Sequence, residues 1–114
     1  MPKILLISDN EKLNKKLTVI LAKSGIATLC SVDEVSIMNY VENALVSIVI
    51  VDEDIKKLDS LMICKKLQAS VLKENITLIS LVSAKTSNQD LLKITNAYIV
   101  KPINEKILSV ITLL

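Results

Sequence analysis

A chain of 114 residues with a net charge of +2 has room for one well-filled core but not two, and its spread, balanced charges argue against a nucleic-acid partner. Apolar residues make up 51% of it, yet Tyr40 and Tyr98 are the sole aromatics, so the core is aliphatic and a base-stacking platform is excluded. Histidine is absent, which removes catalytic triads with an imidazole base and His-ligated metals.

Cys30 and Cys64 are too few for a zinc site and are expected to be buried small hydrophobes in a reducing compartment. No apolar run reaches the ~18 residues of a membrane span. Ile4 to Ile7 is too short for the core of a signal peptide, so a cytoplasmic chain with no membrane attachment is expected. No linker, repeat or low-complexity segment appears, and residues 1–114 are expected to form one domain.

The first strand is expected over Lys3–Ser8, buried on both faces. Asp9-Asn10-Glu11 breaks it and supplies capping chemistry for a helix over residues 11–24, with Leu13, Leu17, Ile20 and Leu21 on one face. Ser24-Gly25 ends that helix, the chain's one glycine falling where a left-handed residue is wanted. Ile26–Ser31 is a second, less apolar strand nearer an edge. Asp33 or Ser31 caps the next helix, which runs to about Ala44 and turns Ile37, Met38, Val41 and Leu45 inward.

Val46–Val51 is the third strand, a continuous apolar run that ends in Asp52-Glu53-Asp54. Asp59 or Ser60 caps a third helix carrying Leu61, Cys64, Leu67 and Val71. Asn75–Val82 is the fourth strand, followed by Ser83-Ala84 and a short helix over Asn88–Ile94. Ala97–Val100 is the fifth strand, ending in Lys101-Pro102. A last helix from Asn104 turns Ile107, Val110, Ile111 and Leu114 to the core.

Strict alternation of strands and helices predicts a doubly wound, five-stranded parallel α/β sheet of order 2-1-3-4-5, a flavodoxin-like three-layer sandwich. In that order the ends of strands one, three, four and five bring Asp9, Asp52, Ser83 and Lys101 to one edge, where open α/β sheets bind ligands. Two carboxylates repel unless a cation lies between them, and an oxygen-only donor set suits Mg²⁺. A hydroxyl and an ammonium beside them make a phosphoryl-transfer site, because that chemistry is mostly positioning and charge stabilisation. The same residues have plainer readings: Asp9 as a helix cap, Asp52 and Glu53 as solvated loop acids, Lys101 as a loop lysine, Tyr98 as core filling.

These residues resemble the receiver domain of two-component response regulators. Ile4-Leu-Leu-Ile-Ser-Asp-Asn-Glu11 is similar to the family's first strand and acidic pair, and Ile48–Asp52 to the strand carrying its phosphoacceptor aspartate. Ser83-Ala84 is similar to the Thr/Ser-Ala after strand four, and Tyr98-Ile-Val-Lys101-Pro102 to the aromatic-x-x-Lys-Pro of strand five. The four motifs stand in the family's order and span essentially the whole chain. Ser8 stands where the family has its first acid, and Ile55-Lys56 and Ser60 where it has Met-Pro and Gly.

The resemblance implies that Asp52 takes a phosphoryl group from a histidine kinase or histidine phosphotransfer protein in a Mg²⁺-dependent reaction. It implies metal ligation by Asp9, Asp52 and Asp54, the last through its backbone carbonyl. It gives Ser83 and Lys101 the phosphoryl group to bind, with Tyr98 as the aromatic that reorients with Ser83. An effector domain, or a homodimer through the fourth helix, fifth strand and fifth helix, is implied as output. Such a domain catalyses at most its own phosphorylation and dephosphorylation. The alternative is a pseudo-receiver that binds partners independently of phosphate. A haloacid-dehalogenase-type phosphatase, suggested by Asp52-Glu-Asp54, is disfavoured because that motif belongs after a first core strand and lacks its later acidic pair here.

Overall fold

The computed structural model describes residues 3–43, 45–69, 76–83 and 89–113, with side chains as far as Ile111. Among the described residues ten elements alternate strand with helix: β1 (Lys3–Ile7), α1 (Glu11–Ala22), β2 (Ala27–Cys30), α2 (Glu34–Glu42), β3 (Ile48–Asp52), α3 (Ser60–Ala69), β4 (Thr77–Val82), α4 (Gln89–Ile94), β5 (Ala97–Val100) and α5 (Ile107–Leu113). The strands form one parallel sheet in the expected order β2-β1-β3-β4-β5. Among the described residues no helix is long and apolar enough to cross a membrane.

The central strands are mostly apolar, and buried on both faces, because helices cover both sides of the sheet. Alternate residues of β1 serve opposite layers. Leu5 and Ile7 join the cluster under α2, α3 and α4, with Ile37, Val41, Ile63, Cys64, Leu67 and Leu91. Ile4 and Leu6 join the other, with Leu17, Ile20 and Leu21 of α1 and Ile107 and Ile111 of α5. Each such side chain fully withdrawn from water contributes about 1.5–3 kcal/mol against the entropy of ordering the chain.

Helix ends follow local chemistry. Asn10, Asp33 and Asp59 each accept the N–H three residues on, from Leu13 at 3.1 Å, Ser36 at 3.0 Å and Met62 at 3.0 Å. Beyond α1, Gly25 adopts φ 75°, letting its N–H reach Ala22 and that of Ile26 reach Leu21.

Several expectations need correction. Leu45 is exposed, not inward: α2 stops at Glu42, so the helical period no longer applies and Val46 is buried instead. β3 starts two residues later and ends one residue later than expected, so Asp52 lies inside the strand. Leu61 is half-buried, and α3's buried face is formed instead by Ser60, Ile63, Cys64 and Leu67. Asn104 does not start α5: its Oδ1 accepts the Lys106 N–H at 2.8 Å, and tight i→i+3 turns carry the chain to Ile107. Cys30 is exposed because it ends an edge strand, whereas Cys64 is buried. Tyr98 is 56% exposed, outward on the other edge strand, and so fills no core. Expectations for Ala44, Val71, Asn75, Ala84, Asn88 and Leu114 concern positions outside the described residues.

Candidate functional site

Strand register places the candidate residues at one rim. Ile7 pairs with Val51, Asp52 with Leu81 and Val82 with Val100, so Ser8, Asp52, Ser83 and Lys101 leave their strands at about one level. Asp52 is the last residue of β3 and only 1% exposed. A carboxylate so deep requires partners, since burying an unpaired charge is prohibitive.

It has them on both oxygens. Oδ1 accepts from the Lys101 Nζ at 2.6 Å and from the Asp54 N–H at 3.0 Å. Oδ2 accepts the Ser8 hydroxyl at 2.9 Å. Lys101 Nζ also reaches Asp54 Oδ2 at 2.9 Å, so one ammonium is shared by two carboxylates. Partial burial lowers the Lys101 pKa, but hydrogen bonds and charge attraction from Asp52 and Asp54 outweigh it and leave the amine above its ordinary value.

Asp9 is held differently. Its Oδ2 accepts the backbone N–H groups of Lys56 at 2.9 Å and Lys57 at 3.1 Å, stapling the β1 end to the loop between β3 and α3. The Lys56 N–H above all holds this carboxyl below the ordinary range, against some desolvation; the Lys57 N–H adds to the lowering. Helix capping falls to Asn10.

Ser83 is exposed, and its N–H donates to Glu53 Oε2 at 2.9 Å. Glu53 is therefore not a solvated acid: its N–H also bonds the Leu81 carbonyl, so it ties β3 to β4 where both end. Sequence reasoning took this residue for a solvated loop acid and passed over Ser8 as a hydrogen-bond donor. In each case the partner lies far away in the chain.

The structure thus brings Ser8, Asp52, Asp54 and Lys101 into direct contact, places Ser83 beside them through Glu53, and turns Asp9 toward the neighbouring loop. Tyr98, three residues before Lys101, points outward. Asp9 and Asp54 line one open depression with Asn10, Lys56 and Lys57. Their oxygen-only chemistry, with Asp52, fits a hard divalent cation. As they stand, no three acidic or thiol groups among the described residues are gathered closely enough to hold a metal.

No family model and no curated protein matches the sequence. Solved structures do match along nearly its full length. The chemotaxis protein CheY4 of Vibrio cholerae superposes with a TM-score of 0.85 at 17% identity, over 99% of this chain and 98% of that one. A CheY-like response regulator receiver domain from Methylobacillus flagellatus gives 0.84 at 15% identity, over 99% and 97%. The receiver domain of a sensor histidine kinase from Pseudomonas aeruginosa gives 0.83 at 19% identity, over 96% and 93%; it is described with a magnesium ion coordinated in its active-site cleft. The chain has the CheY-like receiver fold.

Proposed function

We propose that residues 1–114 form a phosphoacceptor receiver domain in which Asp52 takes a phosphoryl group from a histidine kinase or histidine phosphotransfer protein. The observation that carries this reading is the Asp52–Lys101 contact: a carboxylate 1% exposed at the end of a central strand, with an ammonium 2.6 Å from one oxygen. The attacking oxygen and the cation that receives phosphoryl charge are thereby preassembled. Lys101 binds the phosphoryl oxygens. Ser83, released from its present position beside Glu53, adds a hydroxyl, and Tyr98 responds at the surface.

Magnesium would be held by the Asp9 and Asp52 carboxylates and the Asp54 backbone carbonyl. When bound it supplies positive charge against the phosphoryl oxygens. The receiver fold of the kinase domain described with magnesium supports this assignment. Exposed Tyr98 and Val100 on β5 support an output face made with α4 and α5, toward an effector domain or a second copy. The setting would be cytoplasmic.

Incubation with acetyl phosphate and Mg²⁺, followed by intact-mass measurement, tests the reading. One phosphoryl group should be gained by the wild type and none by Asp52→Asn. Equal incorporation in both would refute it.

A further inference from the structure

We infer that Ser8 governs how readily Asp52 gives up a phosphoryl group, its hydroxyl stabilising the carboxylate that departs from phosphorus. This rests on reading Asp52 as the phosphoacceptor and assigns a role to the residue standing where receivers have an acid.

Ser8 is 3% exposed and firmly placed. Its backbone carbonyl accepts the Asn14 Nδ2 at 2.9 Å, and its Oγ accepts the Asn10 N–H at 3.2 Å. With that acceptor role filled from α1's cap, the single hydroxyl proton is directed to Asp52 Oδ2, 2.9 Å away. The two Asp52 oxygens are therefore unlike. Oδ2 has the buried hydroxyl alone, while Oδ1 takes the Lys101 ammonium at 2.6 Å and the Asp54 N–H at 3.0 Å and, lying beside the cation that receives phosphoryl charge, is the oxygen that meets phosphorus.

In phosphorylation by acetyl phosphate, Oδ1 bonds to phosphorus as the bridging P–O bond breaks and acetate leaves with the electron pair. Oδ2 becomes the carbonyl oxygen of a mixed anhydride. In hydrolysis, water oxygen bonds to phosphorus and the Oδ1–P bond breaks. Its pair returns to Asp52, and inorganic phosphate leaves with the water's oxygen, the water's protons going to phosphate and solvent. During that step Oδ2 regains half of a carboxylate's charge, and a hydrogen bond to a charged acceptor is about twice as strong as one to a neutral acceptor. The Ser8 hydroxyl thus favours the departing carboxylate over the anhydride. It speeds loss of the phosphoryl group and holds back its gain.

The test is phosphoryl lifetime in the full chain. Wild type, Ser8→Ala and Ser8→Thr are loaded with acetyl phosphate in one Mg²⁺ buffer, freed of donor, and followed by intact mass. Ser8→Ala should lose phosphoryl about tenfold more slowly, the worth of one charge-assisted hydrogen bond, and Ser8→Thr at the wild-type rate. A site merely damaged by alanine would move the other way, loading poorly and holding no longer. If Ser8→Ala does not fold, Ser8→Cys, a weak donor, should show an intermediate lifetime. Decay at or above the wild-type rate in the alanine or cysteine variant overturns the inference and leaves Asp52 as phosphoacceptor. Absence of any loading, wild type included, overturns both.

Discussion

Lys101 Nζ meets Asp52 Oδ1 at 2.6 Å although β4 lies between their strands, so the lysine side chain reaches across a whole strand end to its partner. The pair is unevenly buried, 21% exposed for the lysine side chain and 2% for the aspartate. Lys101→Met therefore leaves a deep carboxylate without its cation. The expected loss is about 3 kcal/mol, the low end for a broken buried pair because Lys101 keeps some water. Urea unfolding of Lys101→Met, Asp52→Asn and the double variant measures it. The double variant should recover much of the loss, and added Mg²⁺ should raise the melting point of Lys101→Met more than that of the wild type. Identical stabilities in the wild type and Lys101→Met would mean that the contact contributes nothing.

Replacing Ser8 by Asp sets a second carboxylate where a hydroxyl now donates to Asp52 at 2.9 Å. Without metal the variant should be less stable. One added charge at a few ångströms is worth roughly 1–4 kcal/mol to a bound cation, so Mg²⁺ affinity should rise at least about fivefold. Calorimetric titration of both proteins decides it; unchanged affinity would show that Glu53 or Asp54 already supplies that charge.

Alkali should unfold the protein through two groups that keep their protons longer when folded. Burial pushes the Cys64 thiol from 9.0 up to about 12, so above pH 9 the unfolded chain ionises while the folded one does not. Its contribution is intact below pH 9 and is lost as pH rises toward 12, at about 1.4 kcal/mol per pH unit for one proton. Lys101, raised above 10.5 by its carboxylates, acts with the same sign: full below 10.5 and lost as pH climbs through its folded value. Cys64→Ala should flatten the stability–pH curve between 9 and 12 by one proton. A curve of unchanged slope would contradict the buried thiol.

The two cysteines should differ in reactivity. Cys30 is exposed, while Cys64 is buried with its thiol pushed up to about 12, and the thiolate is the reacting form. Brief alkylation at pH 8 followed by peptide mass mapping should label Cys30 alone, and slowly, since partial desolvation also raises its pKa against a Thr18 hydrogen bond that lowers it. Cys64 should label only under denaturing conditions. Equal labelling of both in the native state would place Cys64 wrongly.

Much of this fold was legible because apolar runs and turn chemistry are local. The bounds of β5, Ala97–Val100, coincide with expectation, as does the sheet order. The register of β3 was not legible: Val46 is apolar and buried like a strand residue, yet sits in the connection before Ile48, and only pairing with Ile4 and Thr77 distinguishes the two. The meeting of Asp52 with Lys101 followed from topology. The partners of Ser8, Asp9 and Glu53 did not, because they lie 44, 47 and 30 residues away, and a period of 2 or 3.6 carries no information about such distances.

The aliphatic core also decides how this protein can be watched. With no Trp or Phe and two Tyr, its intrinsic fluorescence comes from a half-buried ring on α2, Tyr40, and a solvent-exposed ring on β5, Tyr98. Neither ring lies in the sheet's central layer, so emission is a poor gauge of unfolding there, and backbone dichroism is the sounder signal. Tyr98 is instead a native optical label three residues from Lys101. In a Tyr40→Leu background, all tyrosine light would come from the strand that leads into the crevice, and no dye need be attached to follow it.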